Sequence, residues 1–355
     1  MNANSDRYKL TVFILSKDKN LVLKRLLEYW KDSGFRIVVL HETRNPINIY
    51  DQDSSVVYLP TCDPLLDRIH KMSGLVETDY VLISTDDEVF SITSITDGIR
   101  FLDENQEFST VSGQTVAVSR YANQNNYFII YRNNLGFETS SEDSVNRMKE
   151  STEKSDGTMR IGAPYRIMKR ELFNNYMEAI IELSPLKCNY LYEVLAEIYQ
   201  HIHGKVKIQD NVFWIRNWII PAATDTNRSF YYFQWWESPL HSNERHLLVK
   251  LLLKQYDGLS LGDVNEILQM AYIFRKKAEV LEYRRLLSQK KILKSFKHKM
   301  SRYTFIQKLN FLHESNSIDD LQKQLDEIQI RYDKKELLAL TNFVINLENN
   351  LDEID

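Results

Sequence analysis

The first 120 residues alternate runs typical of buried strands with runs typical of helices. Residues 10–16 are rich in β-branched and aromatic side chains and predict a strand. Residues 21–31 then repeat leucines and a tryptophan at helical spacing, and a strand-like run returns at 35–40. The alternation continues as far as Val118. It predicts an α/β fold in which helices pack on both faces of a largely parallel sheet.

An apolar run at residues 80–83 leads into three consecutive acids, Asp86, Asp87 and Glu88. A strand this apolar is expected inside the sheet, which places the acids at its carboxyl edge, where open α/β sheets bind ligands. Adjacent carboxylates repel one another unless a cation or hydrogen-bond donors neutralise them. Hard oxygen ligands at such an edge suit Mg²⁺ or Mn²⁺ holding a phosphorylated substrate. The alternative is an N-capping cluster for the helix after Ser91.

Charge, cysteine content and missing motifs exclude several classes of protein. The 355 residues carry a formal net charge of −4, which argues against a nucleic-acid-binding protein. Two cysteines and a polar amino terminus without a secretory signal favour a cytoplasmic location. No run reaches the ~18 apolar residues that span a bilayer. GxGxxG, GxxxxGK[ST] and HExxH motifs are missing, which disfavours dinucleotide oxidoreductases, P-loop nucleotidases and the common zinc proteases.

Beyond residue 120 the pattern changes. Residues 138–158 are almost wholly polar and predict a mobile loop. Residues 230–236 form the densest aromatic run, which either stacks on sugar rings or, more commonly for so dense a run, forms core between domains. From His246 onward the pattern is helical. We therefore expect a domain over residues 1–240 and a helical region over 241–355.

The helical region begins with a basic stretch. Residues 275–302 contain eleven Lys or Arg against two Glu, whereas the sequence after Asn310 is acidic. Over 284–302 an apolar stripe is flanked by basic residues, which suits a helix lying on an anionic membrane. The alternative is that this stripe packs against the acidic segment, which the opposite charges also favour.

Together these runs resemble the amino-terminal half of GT-A glycosyltransferases, particularly the inverting, family 2-like enzymes of bacterial surface-polysaccharide synthesis. The resemblance rests on residues 10–16, 25–30, 38–42 and 84–88. It is good over residues 8–120 and loose over 160–220. It implies a mixed GT-A sheet flanked by helices, with a nucleotide-sugar-binding half at 8–120 and an acceptor half at 121–240.

The resemblance also implies a donor site. In this family the acidic motif holds the divalent metal, Mn²⁺ or Mg²⁺, that bridges both phosphates of a nucleotide-sugar. The matching metal ligands are Asp86, Asp87 and Glu88, although Glu88 replaces the usual second Asp. The matching nucleotide-sugar contacts are Ser16, Glu42, Arg68 and Asp86.

Two of these donor contacts have plainer alternatives. Glu42 matches the acid that accepts a hydrogen bond from the nucleotide base, but it could equally be an ordinary loop acid. Arg68 matches a basic residue near the diphosphate, and its alternative is a surface ion pair with Asp67 or Glu77.

Inversion requires a general base that takes the proton from the acceptor hydroxyl. Glu193 and Glu197 lie four residues apart on a predicted helix, and Glu193 is favoured because it is nearer the helix start. Both are alternatively solvated surface acids, and Glu153 and Asp156 are further candidates. His241 matches a late metal ligand found in some relatives.

The resemblance therefore implies a metal-dependent glycosyltransferase. It would transfer a sugar from a nucleotide-sugar to a hydroxyl of a glycan or lipid-linked acceptor, by single displacement with inversion, in surface polysaccharide synthesis. The enzyme would be cytoplasmic, and contact through 284–302 would make it peripheral at the inner face of the plasma membrane. The alternative is a non-catalytic scaffold that binds glycan or nucleotide through a GT-A fold.

Overall fold

The computed structural model describes most of the chain. The described residues are 9–47, 55–63, 65–121, 124–130, 138–153, 163–184, 191–217, 231–293, 314–315 and 317–348. The predicted membrane-contacting stretch, 284–302, lies outside the residues whose side chains are described. Within the described part of the chain, no helix combines the length and the apolar character needed to cross a bilayer.

The amino-terminal half forms four parallel strands in the order β3-β2-β1-β4, joined through helices α1 and α2. The elements are β1 (Leu10–Lys17), α1 (Asn20–Trp30), β2 (Arg36–Glu42), β3 (Val56–Thr61), α2 (Leu65–Met72) and β4 (Tyr80–Thr85). β1 and β4 are almost wholly buried, as their apolar sequences predict. The chain leaves β1 toward β2 on one side and returns to β4 on the other, so the strand order reverses between β1 and β4.

The sheet continues with mostly antiparallel pairs. Its further strands are β5 (Glu88–Phe90), β6 (Phe108–Tyr121), β7 (Gln124–Ile130), β8 (Ile167–Lys169), β9 (Lys205–Asn217) and β10 (Glu314–Ser315). Their order is β10-β7-β6-β8-β4, while β9 pairs with β6 in parallel and with β5 in antiparallel orientation. The mixed α/β sheet confirms the predicted fold class.

Helices cover both faces of this sheet. They are α3 (Ile92–Glu104), α4 (Ser144–Glu153), α5 (Arg170–Glu182), α6 (Leu191–His203), α7 (Tyr232–Glu237), α8 (Ser242–Gln255), α9 (Leu261–Leu293), α10 (Ile318–Glu327) and α11 (Lys334–Glu348). The polar run expected to be a mobile loop instead contains α4. Buried Arg147 of α4 donates to the carbonyls of His201 and Ile202, so part of its polar surface is satisfied inside the protein.

Two apolar clusters hold the layers together, and residues beyond 240 contribute to both. Helices α8 and α9 supply Leu248, Leu252 and Val264 to one cluster. Helices α10 and α11 supply residues to the other, among them Leu321, Leu325, Leu337, Leu340 and Val344. The aromatic run after residue 230 is also partly core, because Tyr232 and Trp235 are fully buried. The domain boundary at residue 240 stays a prediction.

Candidate functional site

The carboxyl ends of β1 and β4 meet at the point where the strand order reverses, which is where open α/β sheets bind ligands. Ser16 at the end of β1 donates its hydroxyl hydrogen bond to Asp86 Oδ2 at 2.8 Å. The backbone N–H of Lys17 donates to the same oxygen at 3.3 Å. Asp86 follows β4 directly and is 4% exposed. Two of the predicted site residues, Ser16 and Asp86, are therefore in contact at the predicted edge.

Lys19, which no sequence motif marks, contacts two of the three acids. Its ammonium lies 3.1 Å from Asp86 Oδ1 and 2.8 Å from Asp87 Oδ2. The Thr85 hydroxyl donates to the other oxygen of Asp87 at 2.9 Å. Asp18, directly before Lys19, has the left-handed φ of 52°. A single cationic group thus contacts both Asp86 and Asp87.

Burial dominates the electrostatics of Asp86. Burial and the neighbouring charge of Asp87 raise the pKa of Asp86 to about 6, while Lys19 and Ser16 oppose that rise. Burial also lowers the pKa of Lys19, but the two carboxylates outweigh it and the net shift is upward. One ammonium therefore balances two carboxylates in a poorly solvated position, which leaves a local excess of negative charge.

Glu88 makes different contacts from the two aspartates. It lies on β5 opposite Arg216 of β9, and its carboxylate accepts a hydrogen bond from the Trp214 indole N–H. Arg216 Nε lies 3.5 Å from Glu88 Oε1, and its guanidinium sits 5.4 Å from the Trp214 ring centroid. Burial raises the pKa of Glu88 well above its usual value, against the effect of Arg216. The acidic motif therefore lies in two different environments: Asp86 and Asp87 contact Lys19, whereas Glu88 contacts Trp214 and Arg216.

The described residues contain no group of three or more His, Cys, Asp or Glu side chains arranged to hold a metal ion. Assignment of Asp86, Asp87 and Glu88 together as metal ligands stays a prediction. The alternative was that the acids cap the helix after Ser91. Ser91 itself caps α3, because its side chain accepts a hydrogen bond from the Ser94 N–H.

Arg68 and Glu42 lie beside the carboxyl end of β1 and contact each other. Arg68 is 3% exposed and donates to Glu42 Oε2 at 2.8 Å, rather than forming a surface pair with Asp67 or Glu77. It also donates to the carbonyl oxygens of Ser16 at 2.6 Å and Leu40 at 3.0 Å. This guanidinium therefore ties the ends of β1 and β2 together. The other Glu42 oxygen pairs with Lys17 at 2.6 Å.

Glu193 lies in the first turn of α6 and is not a solvated acid, because its side chain is 13% exposed. Arg275 of α9 donates to Glu193 Oε2 at 3.0 Å. Burial raises the pKa of Glu193, and Arg275 and then Arg216 oppose that rise. Burial raises the pKa of Tyr165. The charges of Glu88 and Glu193 add to that rise, and Arg216 opposes it. Glu193 therefore belongs to the same electrostatic neighbourhood as Glu88.

Glu197, one turn further along α6, contacts a different set of buried residues. Its Oε1 lies 3.1 Å from both the Ser151 hydroxyl and His201 Nε2. Arg166 approaches its second oxygen at 3.9 Å. The residue is 6% exposed, so it too is not a solvated acid.

The remaining sequence candidates are scattered. Glu153 is exposed at the end of α4, and Asp156 lies outside the described residues. His241 is buried with Nδ1 3.1 Å from Glu244 Oε1.

No family model and no curated protein matches the sequence. Solved structures of Staphylococcus aureus TarS, a glycosyltransferase, are similar in fold. TarS 1-349 gives a TM-score of 0.50 at 12% identity, covering 98% of this chain and 92% of that one. TarS 1-349 in complex with UDP-GlcNAc also gives 0.50 at 12%, covering 73% and 70%.

A longer TarS structure gives a TM-score of 0.47 at 12% identity, and there the match covers 42% of the TarS chain. The two TarS 1-349 structures show the fold, and the GT-A fold predicted from the sequence is confirmed.

Proposed function

We propose that this chain is a glycosyltransferase that takes its sugar from a nucleotide-sugar donor bound at the carboxyl ends of β1 and β4. The observation that carries the proposal is the convergence of Ser16 and Lys19 on Asp86 and Asp87 at the reversal of strand order in a GT-A-type sheet. The structure of TarS 1-349, which has a similar fold, has been solved in complex with UDP-GlcNAc. This supports a uridine diphosphate sugar as the first donor to test.

A divalent cation, Mg²⁺ or Mn²⁺, suits this site. Mg²⁺ is commonly held by one or two carboxylates together with substrate phosphates, so no all-protein cage is required. Asp86 and Asp87 already share one cationic partner, Lys19, and they carry excess negative charge. We assign these two acids as the primary ligands, with Glu88 held toward Arg216 and Trp214. When bound, the metal would neutralise the diphosphate leaving group.

Around that site, the chain's own residues have separable tasks. Arg68 holds the ends of β1 and β2 and so positions Ser16 and Glu42 at the donor edge, which is formed by the carboxyl ends of β1 and β4 together with Asp86 and Asp87. Arg216 supplies a guanidinium that is 19% exposed beside Glu88, suited to an anionic donor group. Glu193 is our candidate general base, because burial raises its pKa toward the range in which a carboxylate is an effective base.

The acceptor assignment rests on the sequence resemblance. We propose transfer with inversion to a hydroxyl of a glycan or lipid-linked acceptor in surface polysaccharide synthesis. An enzyme with a lipid-linked acceptor would work at the inner face of the membrane, with 284–302 as the contact. Co-sedimentation with anionic vesicles at low salt tests that contact, and lack of binding would remove it.

The central experiment measures release of nucleoside diphosphate with Mn²⁺ or Mg²⁺ across a panel of nucleotide-sugars. We expect turnover by the native chain and a loss of at least about 100-fold in Asp86→Asn, because the donor edge loses a carboxylate needed for charge neutralisation. Asp97→Asn is a matched control, since Asp97 is an exposed partner of Arg100 on α3. Thermal unfolding of each variant establishes that the fold persists.

Unchanged turnover in Asp86→Asn would contradict the proposed site. Metal-dependent binding of UDP without turnover on any donor would instead favour the non-catalytic scaffold.

A further inference from the structure

The candidate base Glu193 is held by a residue from a distant part of the sequence. Arg275 of α9 lies 82 residues further along the chain and donates its Nη2–H to Glu193 Oε2 at 3.0 Å. The two side chains are 4% and 13% exposed, respectively. Such a pair gives a defined geometry, and removing one member leaves the other as a poorly solvated charge.

Arg275 is itself fixed from its other side. Its Nε lies 3.6 Å from Glu279 Oε1, one helical turn further along α9. Glu279 is fully buried, and its Oε2 accepts the backbone N–H of Phe233 at 2.9 Å in the first turn of α7. The guanidinium is therefore placed between an acid that anchors α7 and the acid at the start of α6.

The contact leaves the two Glu193 oxygens unequal. Oε2 accepts the charge-assisted bond from Arg275, whereas Oε1 accepts a longer one, 3.4 Å, from the Tyr192 hydroxyl. The Arg275 contact is the shorter one and joins opposite charges, so Oε2 is the better anchored oxygen. A general base needs a fixed carboxylate with one oxygen able to reach the proton that it removes.

We propose that Arg275 is the positioning residue for this base: it fixes the Glu193 carboxylate through Oε2 and keeps it ionised, while Glu279 fixes Arg275 and moderates its charge. The inference rests on the proposed function, because it takes Glu193 as the base. It makes α9 a part of the acceptor side of the site.

The charges around Glu193 give the direction of each expected effect. Arg275 from α9 and Arg216 from β9 favour its ionised form, against burial. Tyr165, Tyr176 of α5 and Tyr192 of α6 are neutral neighbours whose own ionisation Glu193 opposes.

Glu279 from α9 is the acidic neighbour, and it and Glu193 disfavour each other's charge. Loss of Arg275 therefore raises the pKa of Glu193, whereas neutralising Glu279 lowers it.

The test compares Arg275→Met with Glu279→Gln in the full chain, using the pH dependence of kcat. We expect the acid limb to move up by about one pH unit or more in Arg275→Met, and down by a smaller amount in Glu279→Gln. Arg275→Lys retains the cation and should restore most of the native profile. Lys276→Met is the matched control on α9, because Lys276 pairs with Glu237 at the surface.

A second readout does not need turnover. In protein carrying ¹³C-labelled glutamate, the Glu193 carboxyl resonance, assigned with Glu193→Gln, is titrated in the native chain and in both variants. Opposite shifts of its pKa support the pairing even if no donor is turned over, in which case only the proposed function fails. Unmoved or same-direction shifts in folded variants, or an unmoved acid limb in an active enzyme, overturn the inference.

Discussion

Lys19 shows how one backbone conformation sets the charge balance of the donor edge. Asp18 adopts the left-handed region with φ of 52°, at a cost of about 1–2 kcal/mol for a residue other than glycine. Its N–H donates to the Glu42 carbonyl at 3.0 Å, which ties the turn to β2. Lys19 follows immediately and contacts Asp86 and Asp87. The short turn after β1 therefore places a positive charge directly on the acidic motif.

Replacing Lys19 with Met should expose that balance. Without metal, the two aspartates lose their shared cation, and we expect the free energy of unfolding to fall by about 1–3 kcal/mol. With Mn²⁺, the site has no competing ammonium, so the rise in Tm on adding metal should exceed that of the native chain. Calorimetry over a Mn²⁺ titration measures both effects.

Lys17→Met is the matched control for this change. Lys17 is half exposed, and its ammonium pairs with Glu42 at 2.6 Å, whereas only its unchanged backbone N–H contacts Asp86. The Mn²⁺-dependent rise in Tm should therefore match that of the native chain. An equal response in the Lys19 and Lys17 variants would contradict the role given to Lys19.

The acidic residues of the site were easier to find in the sequence than the lysine and arginine residues that contact them. Asp86 follows an apolar strand, and that context alone predicts its place at the sheet edge. Lys19 and Arg275 stand among many basic residues, and only the fold brings them to Asp86 and Glu193. Trp214 offers a weak signal, as a tryptophan in an apolar run two residues before Arg216.

At the scale of single elements, β6 contains an irregularity next to Gly113. β6 runs unbroken from Phe108 to Tyr121 and includes Gly113. The pairing with β9 shifts register on both sides of Gln114. Gly113 is required there because Asn211 of β9 lies against its backbone. The glycine therefore permits a close approach of two paired strands.

Gly113→Ala should destabilise the protein. The added Cβ would meet the side-chain and backbone oxygens of Asn211 well inside van der Waals distance, and Phe213 Cβ at 2.9 Å. We expect a loss of about 1–3 kcal/mol in the free energy of unfolding, measured by urea denaturation.

Gly74→Ala serves as the control, because a Cβ there meets nothing within 4 Å. Its unfolding midpoint should equal or slightly exceed that of the native chain. Equal midpoints for the two alanine variants would show that β6 and β9 separate at little cost.

Helix α4 shows why polar composition alone does not predict a loop. Its sequence is polar, yet Ser151 contacts Glu197 and His201 in the interior, and Met148 is buried. These partners lie about 50 positions away on α6, so no local pattern in the sequence reveals them. The helix is stabilised by tertiary hydrogen bonds that a propensity argument does not include.

Over the whole molecule, α10 and α11 complete a core that begins in the first strand. Leu321 and Leu340 share an apolar cluster with Leu10 and Val12. Glu336 of α11 also accepts from the Ser91 hydroxyl at 2.8 Å at the start of α3. The helical region is thus packed directly on the sheet.

Deleting residues 314–355 should disrupt the fold rather than trim it. The deletion exposes the apolar cluster that α10 and α11 cover, and we expect a broad thermal transition together with binding of a hydrophobic dye. Glu336→Gln, which keeps the apolar cover and weakens one polar link, should lose only about 1 kcal/mol. A native-like, cooperative transition in the deletion variant would show that the remainder is independently stable.

The parallel half of the sheet was predictable because the spacing of apolar residues within each strand and helix identifies that element from its local sequence. The β3-β2-β1-β4 order then follows from short connections through α1 and α2. The place of the described residues between 314 and 348 was not predictable, because the sequence of an amphipathic helix does not show which surface its apolar face covers. Arg331 forms an isolated bridge to Asn211 of β9, and the short strand Glu314–Ser315 pairs with β7.

That pairing also sets an order of events during synthesis. β7 emerges from the ribosome long before its neighbour β10, with which it pairs at Phe128 and Tyr127. At usual rates of about 5–20 residues per second, the intervening chain takes roughly ten to forty seconds to translate. Throughout that interval the outer side of β7 is an open strand edge, prone to pairing with other nascent chains. Slow translation downstream of β7 would therefore prolong the period in which the chain is most at risk of aggregation.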